Sequence, residues 1–151
     1  MANWIVVGSP ENFEIARERG FDMFGFKSSR RRESATMQPG DKLIFYLTGI
    51  MKFGGIADIT SDVYEDRTPV FRSEKKAAED YPFRVNTKPD RILDRDKWLD
   101  VKSYADKLEM TRARGEYWRL AFQGNLHRIS DGDYKTISSD VDAAAKLTAA
   151  R

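Results

Sequence analysis

Apolar positions in this chain fall into short blocks separated by turn chemistry. Trp4 to Val7 is aromatic and β-branched and predicts a short buried strand. Ser9-Pro10-Glu11-Asn12 then predicts a helix start, with Ser9 as N-cap, Pro10 at the first helical position and Glu11 near the positive end of the dipole. The helix should run over about residues 10 to 19, with Phe13 and Ala16 on one face and Gly20 as a left-handed stop. Pro39-Gly40-Asp41 is a turn leading into a strand over Lys42 to Thr48. Its unbroken apolar run at 43–47 predicts cover on both faces. Gly49 to Gly55 reads as a hairpin-like connection, and a further strand over Gly55 to Tyr64 ends at Glu65-Asp66-Arg67-Thr68-Pro69.

The second half is less regular. Residues 72–80 are polar and predict a loop. Phe83, Val85 and Thr87 alternate with Arg84, Asn86 and Lys88, the period of a half-exposed strand with Arg84 facing outward. Trp98, Val101, Ala105 and Leu108 fall at helical spacing. Ser130-Asp131-Gly132-Asp133 announces a last helix, with Ser130 as cap, Asp133 as the capping-box acid and Ile129 placed to staple against Tyr134. After Val141 the chain is alanine-rich and is expected to fray. The pattern predicts one α+β domain over residues 1–138 with a tail at 139–151. Its short strands should form a strongly bent sheet or open barrel, flanked by helices.

Composition narrows the chemistry. The 151 residues suffice for a self-sufficient core, and 40% hydrophobic with 33% charged residues describes an ordinary globular protein. There is no cysteine and a single histidine, His127, which excludes disulfides, thiolate metal sites, cysteine nucleophiles and multi-histidine metal centres. His127 itself reads as structural or surface. No apolar run approaches the roughly 20 residues that span a bilayer, and no leader precedes the first strand, so a cytoplasmic location is expected. No metal or organic cofactor is implied.

Charge is unevenly placed. The formal net charge is only +2, yet Lys27, Arg30, Arg31 and Arg32 crowd one short connection, Gly25-Phe26-Lys27-Ser28-Ser29-Arg30-Arg31-Arg32. Concentrated cations in a nearly neutral chain point to a local anionic partner, most commonly phosphate. Arg30, Arg31 and Arg32 are therefore candidate phosphate-binding residues, against the bland reading of a solvated loop. Residues 107–128 form a second basic region, with Lys107, Arg112, Arg114, Arg119 and Arg128 against Glu109 and Glu116.

Several of these blocks carry a resemblance. Trp4 with Ser9-Pro10-Glu11-Asn12, Gly25-Phe26, Pro39-Gly40-Asp41-Lys42-Leu43-Ile44-Phe45-Tyr46, Phe53-Gly54-Gly55-Ile56 and Tyr81-Pro82-Phe83-Arg84-Val85 resemble the EVE domain family. Tyr117-Trp118-Arg119 and Asp133-Tyr134 resemble its C-terminal part, so the likeness runs in order over about residues 3 to 138. The resemblance implies a PUA-like fold, a bent mixed sheet approaching a barrel, and kinship with YTH and ASCH domains. It further implies binding of DNA or RNA, with a modified base, single-stranded or flipped, held in an aromatic-lined pocket. Such a pocket needs a flat surface for stacking, polar groups for the base edge and cations for flanking phosphates.

Under that reading the candidate base-pocket residues are Trp4, Ser9, Asn12, Phe26, Lys27, Phe53, Tyr81, Arg84 and Trp118. Asn12 matches a pocket-edge asparagine of the YTH pattern, and Phe26 follows Gly25 where that pattern places a cage tryptophan. Each also has an ordinary role. Trp4, Phe26 and Phe53 would equally suit a core, Ser9 a plain N-cap, Asn12 and Arg84 an exposed surface, and Trp118 a core or lid position.

Two other functions compete. The ASCH pattern Gly-x-Lys-x-x-Glu-x-Arg finds Gly25, Lys27 and Arg32 in place, but Arg30 stands where the glutamate belongs. A guanidinium there removes a base or water-orienting group, so amidohydrolase chemistry on a modified nucleoside is disfavoured, and no catalytic residue is assigned. A protein-interaction scaffold without a ligand pocket is the third reading. An open concavity flanked by Trp4, Phe26 and Arg84 would favour base recognition, and filled space there would favour the scaffold.

Overall fold

The structure, a computed structural model, describes residues 1–73 and 75–149, with the side chains of 147–149 left aside. Strands are β1 (Asn3–Gly8), β2 (Met23–Phe26), β3 (Lys42–Leu47), β4 (Lys52–Ile59), β5 (Tyr64–Glu65), β6 (Phe83–Ile92), β7 (Leu99–Asp100) and β8 (Leu126–Ile129). Helices are α1 (Pro10–Glu18), α2 (Arg31–Ser34), α3 (Glu109–Arg112) and α4 (Asp131–Ala149), with 3₁₀ turns at Ser28–Arg30, Arg95–Lys97, Val101–Tyr104 and Gly115–Phe122. The fold is α+β, as expected, built on a strongly curled, open half-barrel sheet.

The sheet runs β2-β6-β4-β3-β1-β8, with β5 on β6 and β7 on β4. Among the described residues only the β1–β3 pairing is parallel, which makes the sheet mixed. Register shifts between Phe45 and Tyr46 on β3 and between Ile56 and Ala57 on β4 add local twist. Burial of β3 on both faces follows the apolar run. Phe45 packs against Phe13, Phe21 and Phe24 on one side, while Tyr46 meets Phe53 and stacks on Phe122 on the other, centroids 4.6 Å apart.

α1 forms where the sequence places it: Ser9 Oγ accepts from the Asn12 N–H at 3.1 Å, and Gly20 follows with φ of 71°. At α4, Ser130 Oγ accepts from the Asp133 N–H as expected. The Asp133 carboxylate does not close a capping box. It accepts from the N–H groups of Glu109 and Met110 and so caps α3 instead. α4 continues through residue 149; Ala150 and Arg151, also part of the expected tail, lie outside the described residues.

Four expectations are corrected. β2 occupies residues read as part of a connection, and the basic stretch after it is helical turns rather than loop. β4 starts at Lys52, so Gly54 and Gly55 are strand residues beside a bulge, and it stops at Ile59 because Tyr64–Glu65 pairs separately with β6. The helical spacing of Trp98 to Leu108 resolves into 3₁₀ turns interrupted by β7, which is held to Lys52 and Phe53 of β4. Arg84 does not face outward.

Candidate nucleic-acid interface

A cleft of about 360 Å³ opens at the carboxyl ends of β1 and β3, beside the start of α1. Val7, Gly8 and Ser9 form one wall and Thr48 lies below them. Lys27 enters from the end of β2, Arg72, Ser73 and Lys75 from the loop before β6, and Phe122, Gln123 and Gly124 from the segment before β8. Tyr81 completes the lining. A volume above ~300 Å³ is in the range of small-ligand pockets.

Polar ties set this geometry. The buried Asn125 side chain accepts from the Lys27 N–H at 2.9 Å and donates to the Val7 carbonyl at 2.8 Å, locking the ends of β1 and β2 together. The loop bearing Arg72 is pinned to α1 by Asn12, whose amide donates to the Arg72 carbonyl at 2.8 Å and accepts from the Arg72 N–H at 2.9 Å. Glu79 holds the other end, accepting from the N–H groups of Ser28 and Tyr81. Burial raises the pKa of the Tyr81 phenol, so the ring stays neutral; its hydroxyl donates to the Arg72 carbonyl at 3.4 Å. The lining therefore combines two largely buried aromatics, Tyr81 and Phe122 at 7% and 5% exposed, with the hydroxyl residues Ser9, Thr48 and Ser73 and the cationic residues Lys27, Arg72 and Lys75.

Of the residues singled out from sequence, the structure brings Ser9, Lys27 and Tyr81 to this wall. Asn12 is buried and acts on the cleft through the loop it ties down. Trp4 is buried at the far end of β1, about 13 Å along the strand from Gly8 at 3.3 Å per residue. Its indole N–H donates to Asp41 at 3.0 Å. Phe26 and Phe53 are both 0% exposed and sit in the core. Trp118 is half-buried against the core, with the Arg119 guanidinium 4.9 Å from its ring centroid.

Arg84 is 1% exposed and turned inward. Its guanidinium donates to the carbonyls of Tyr81, Thr68 and Asp80 and pairs with Asp66, so a buried charge is balanced by the loop it braces. Trp4, Phe26 and Arg84 are all buried, and none of them lines the cleft. The cleft opens one residue further along from Phe26, at Lys27.

Arg31 and Arg32 are exposed on α2. Arg30 points to the segment before β8, where its guanidinium packs over Gly124. The two basic regions thus meet beside the cleft. Asn125 and Phe122 join the site without a clear sequence signal. Asn125 carries only the turn chemistry of Gly124-Asn125, and Phe122 has the pattern of any core aromatic. Among the described residues no group of three or more His, Asp or Glu is placed to hold a metal ion, and no helix is long and apolar enough to cross a membrane.

A family model described as EVE domain matches residues 2–139. The chain is 27% identical over 147 residues to the UPF0310 protein PH1033 of Pyrococcus horikoshii, covering 91% of this chain and 97% of that relative. It is also 27% identical over 148 residues to the UPF0310 protein SSO2595 of Saccharolobus solfataricus, covering 91% and 93%. The human THYN1 protein, solved in complex with 5-methylcytosine containing DNA, superposes with a TM-score of 0.63 at 13% identity, covering 93% of this chain and 98% of that one. The Mmi1 YTH domain, solved in complex with RNA, superposes with a TM-score of 0.64 at 12% identity, covering 97% and 81%. At these identities the structural likenesses speak for a shared PUA-like fold.

Proposed function

We propose that this chain, which belongs to the EVE domain family, binds nucleic acid non-catalytically and seats one modified base in the cleft at the ends of β1 and β3. The observation that carries the reading is the composition of that cleft: two aromatic rings, Tyr81 and Phe122, in a recess rimmed by Lys27, Arg72 and Lys75. Both rings are largely covered, and one face of Phe122 lies on Tyr46, so a base would meet only the part of each ring left open to the recess, while the cations suit the adjoining phosphates. Ser9, Thr48 and Ser73 supply groups that read a base edge. The fold shared with a protein in complex with methylated DNA and a domain in complex with RNA supports the same class of partner. A base reaches such a recess from a single strand or by flipping out of its stack.

The scaffold reading draws on the burial of Trp4, Phe26 and Arg84, but it leaves a cationic recess unexplained. Melting of the protein with base-methylated and unmethylated nucleosides and short single strands, DNA and RNA, separates the two. A ligand at 100 times its Kd stabilises by about 2.7 kcal/mol, a readily measured shift. A rise with one methylated base above its unmethylated counterpart is expected. No rise with any strand, together with no salt-dependent binding, would leave the scaffold.

A further inference from the structure

The protein has six tyrosines, and five of them are engaged within the fold. Tyr46 stacks on Phe122, and the hydroxyls of Tyr64, Tyr81, Tyr104 and Tyr134 bond to Asn86, Arg72, Asp140 and Arg91. Tyr117 stands apart. It is 64% exposed, and among the described residues its side chain has no ring contact or hydrogen bond. Its ring is left free for a partner outside the chain.

The position of Tyr117 leads to the cleft. It lies in the 3₁₀ segment Gly115–Phe122, whose last residue lines the cleft together with Gln123 and Gly124. With three residues per turn, positions 117, 120 and 123 recur on one side of such a segment. Leu120, 43% exposed, and Gln123 are both open to solvent, whereas the neighbouring Ala121 and Phe122 are buried. Backbone bonds hold the spacing. The Tyr117 N–H donates to the Arg114 carbonyl at 3.0 Å, and the Gln123 N–H to the Leu120 carbonyl at 3.2 Å. Tyr117 sits at a kink with φ −94° and ψ 25°, close to turn geometry, so the row bends there without ending. At about 2 Å of rise per residue, Tyr117 is within about 12 Å of Gln123.

The same segment is cationic. Over residues 112–119, Arg112, Arg114 and Arg119 are exposed against the single acid Glu116, and none of the three forms an ion pair among the described residues. The Arg119 guanidinium is held 4.9 Å from the Trp118 ring centroid, which fixes one of these charges two residues from Tyr117. A purely apolar partner would suit Leu120 but leave three unpaired arginines facing it. An aromatic face among unpaired guanidinium groups fits a partner that carries flat rings and negative charge at short intervals. That is the chemistry of a single nucleic-acid strand.

We infer that Tyr117 is a second stacking platform, holding a base of the strand that leaves the cleft past Gln123 and Leu120. The cleft as the starting point of that strand rests on the function proposed above. A stacked strand with phosphates about 3.4 Å apart covers about 12 Å in about four nucleotides. That length falls at the lower end of single-strand site sizes.

The test compares the parent with Y117A and Y117F against a single-stranded DNA of about 12 nucleotides with one central 5-methylcytosine, the corresponding RNA, and the nucleoside 5-methyldeoxycytidine. Amide shifts of Ser9 and Lys27 report the cleft. Y117A should bind the strands at least roughly 5-fold more weakly, the lower bound for one base–aromatic stack, while the nucleoside shifts Ser9 and Lys27 as in the parent. Y117F keeps the ring and should keep parental affinity. Both variants should melt with the parent, because the side chain has no internal partner to lose.

Parental strand affinity in Y117A overturns the platform and leaves base binding standing. Weaker strand binding in Y117A, with Ser9 and Lys27 unmoved by any ligand, keeps the platform while the base reading fails. Equal losses in Y117F and Y117A assign the contact to the hydroxyl and overturn stacking. A lowered melting temperature that accounts for the whole loss in Y117A makes Tyr117 structural and also overturns it. Absence of strand binding by the parent overturns the platform whatever the nucleoside does.

Discussion

Asn12 and Arg72 are joined by a reciprocal pair of hydrogen bonds, side-chain amide to backbone, at 2.8 and 2.9 Å. The pair imitates one rung of a β-ladder across a separation of 60 residues. It fastens the loop carrying Arg72, Ser73 and Lys75 to the first turn of α1, and so fixes the opening of the cleft.

N12A should leave the Arg72 N–H unpaired and its carbonyl with only the long bond from the Tyr81 hydroxyl, at a cost of about 1–3 kcal/mol if water does not replace the amide. The loss should concentrate in the loop. Amide exchange at Arg72 should quicken more than at Val85 in the core, and affinity for single strands should fall. Equal protection of Arg72 in the parent and the variant would show the loop to be held by other contacts.

Gly25 controls the opposite wall. A Cβ added there would lie 2.8 Å from the Tyr81 carbonyl oxygen and 3.2 Å from the Phe71 ring. G25A should therefore displace the Tyr81 segment, destabilising the fold by about 1–3 kcal/mol and weakening base binding beyond what unfolding explains. Parental affinity with a lowered melting temperature would separate Tyr81 from the base.

Phe26 is the position at which sequence and structure diverge most usefully. With the ring 0% exposed, F26A should cost about 3–5 kcal/mol of stability. Preference for a modified over an unmodified strand should persist in the folded fraction. Lost preference at near-parental stability would return Phe26 to the base-binding surface.

The parts of the fold legible in sequence are those whose local signal agrees with their tertiary setting. Ser9-Pro10 starts α1, the run at 43–47 becomes a doubly covered strand, and Ser130 starts α4. β2 is hidden because Met23 to Phe26 is short, contains a glycine and abuts the cationic stretch; pairing with β6 defines it as a strand. Arg84 misleads because period-two alternation assigns a charged residue to the solvent face. The carbonyls of Thr68, Asp80 and Tyr81 that turn it inward are supplied by a loop with no periodic signal. The cleft is partly legible, through Ser9, Lys27 and Tyr81. Phe122 and Asn125 join it from about a hundred residues away in sequence by the antiparallel pairing of β8 with β1, a long-range contact that spacing does not encode.

The arginines that follow β2 give an electrostatic prediction. Replacing Arg30, Arg31 and Arg32 together by Ala should reduce single-strand affinity. The slope of log affinity against log salt should fall by about 0.7 for each phosphate that is no longer neutralised. Stability should change little at Arg31 and Arg32, which are exposed on α2. Full affinity with an unaltered slope would remove this segment from the interface.

His127 predicts how stability depends on pH. Burial first, and Arg30 next, keep its folded-state pKa below the ordinary value of 6.5. Above that value both the folded and the unfolded chain carry a neutral ring, and the histidine adds no pH dependence. As pH falls through 6.5 the unfolded chain takes up a proton that the folded protein resists, so stability declines. The decline ends below the folded-state pKa, where both forms are protonated. Melting curves of the parent and H127Q, measured from about pH 8 to pH 5, isolate the effect, because the carboxylates titrate alike in both. The parent should lose melting temperature relative to H127Q as pH drops below 6.5. Parallel curves for the two proteins without ligand would show that the folded environment leaves His127 unperturbed.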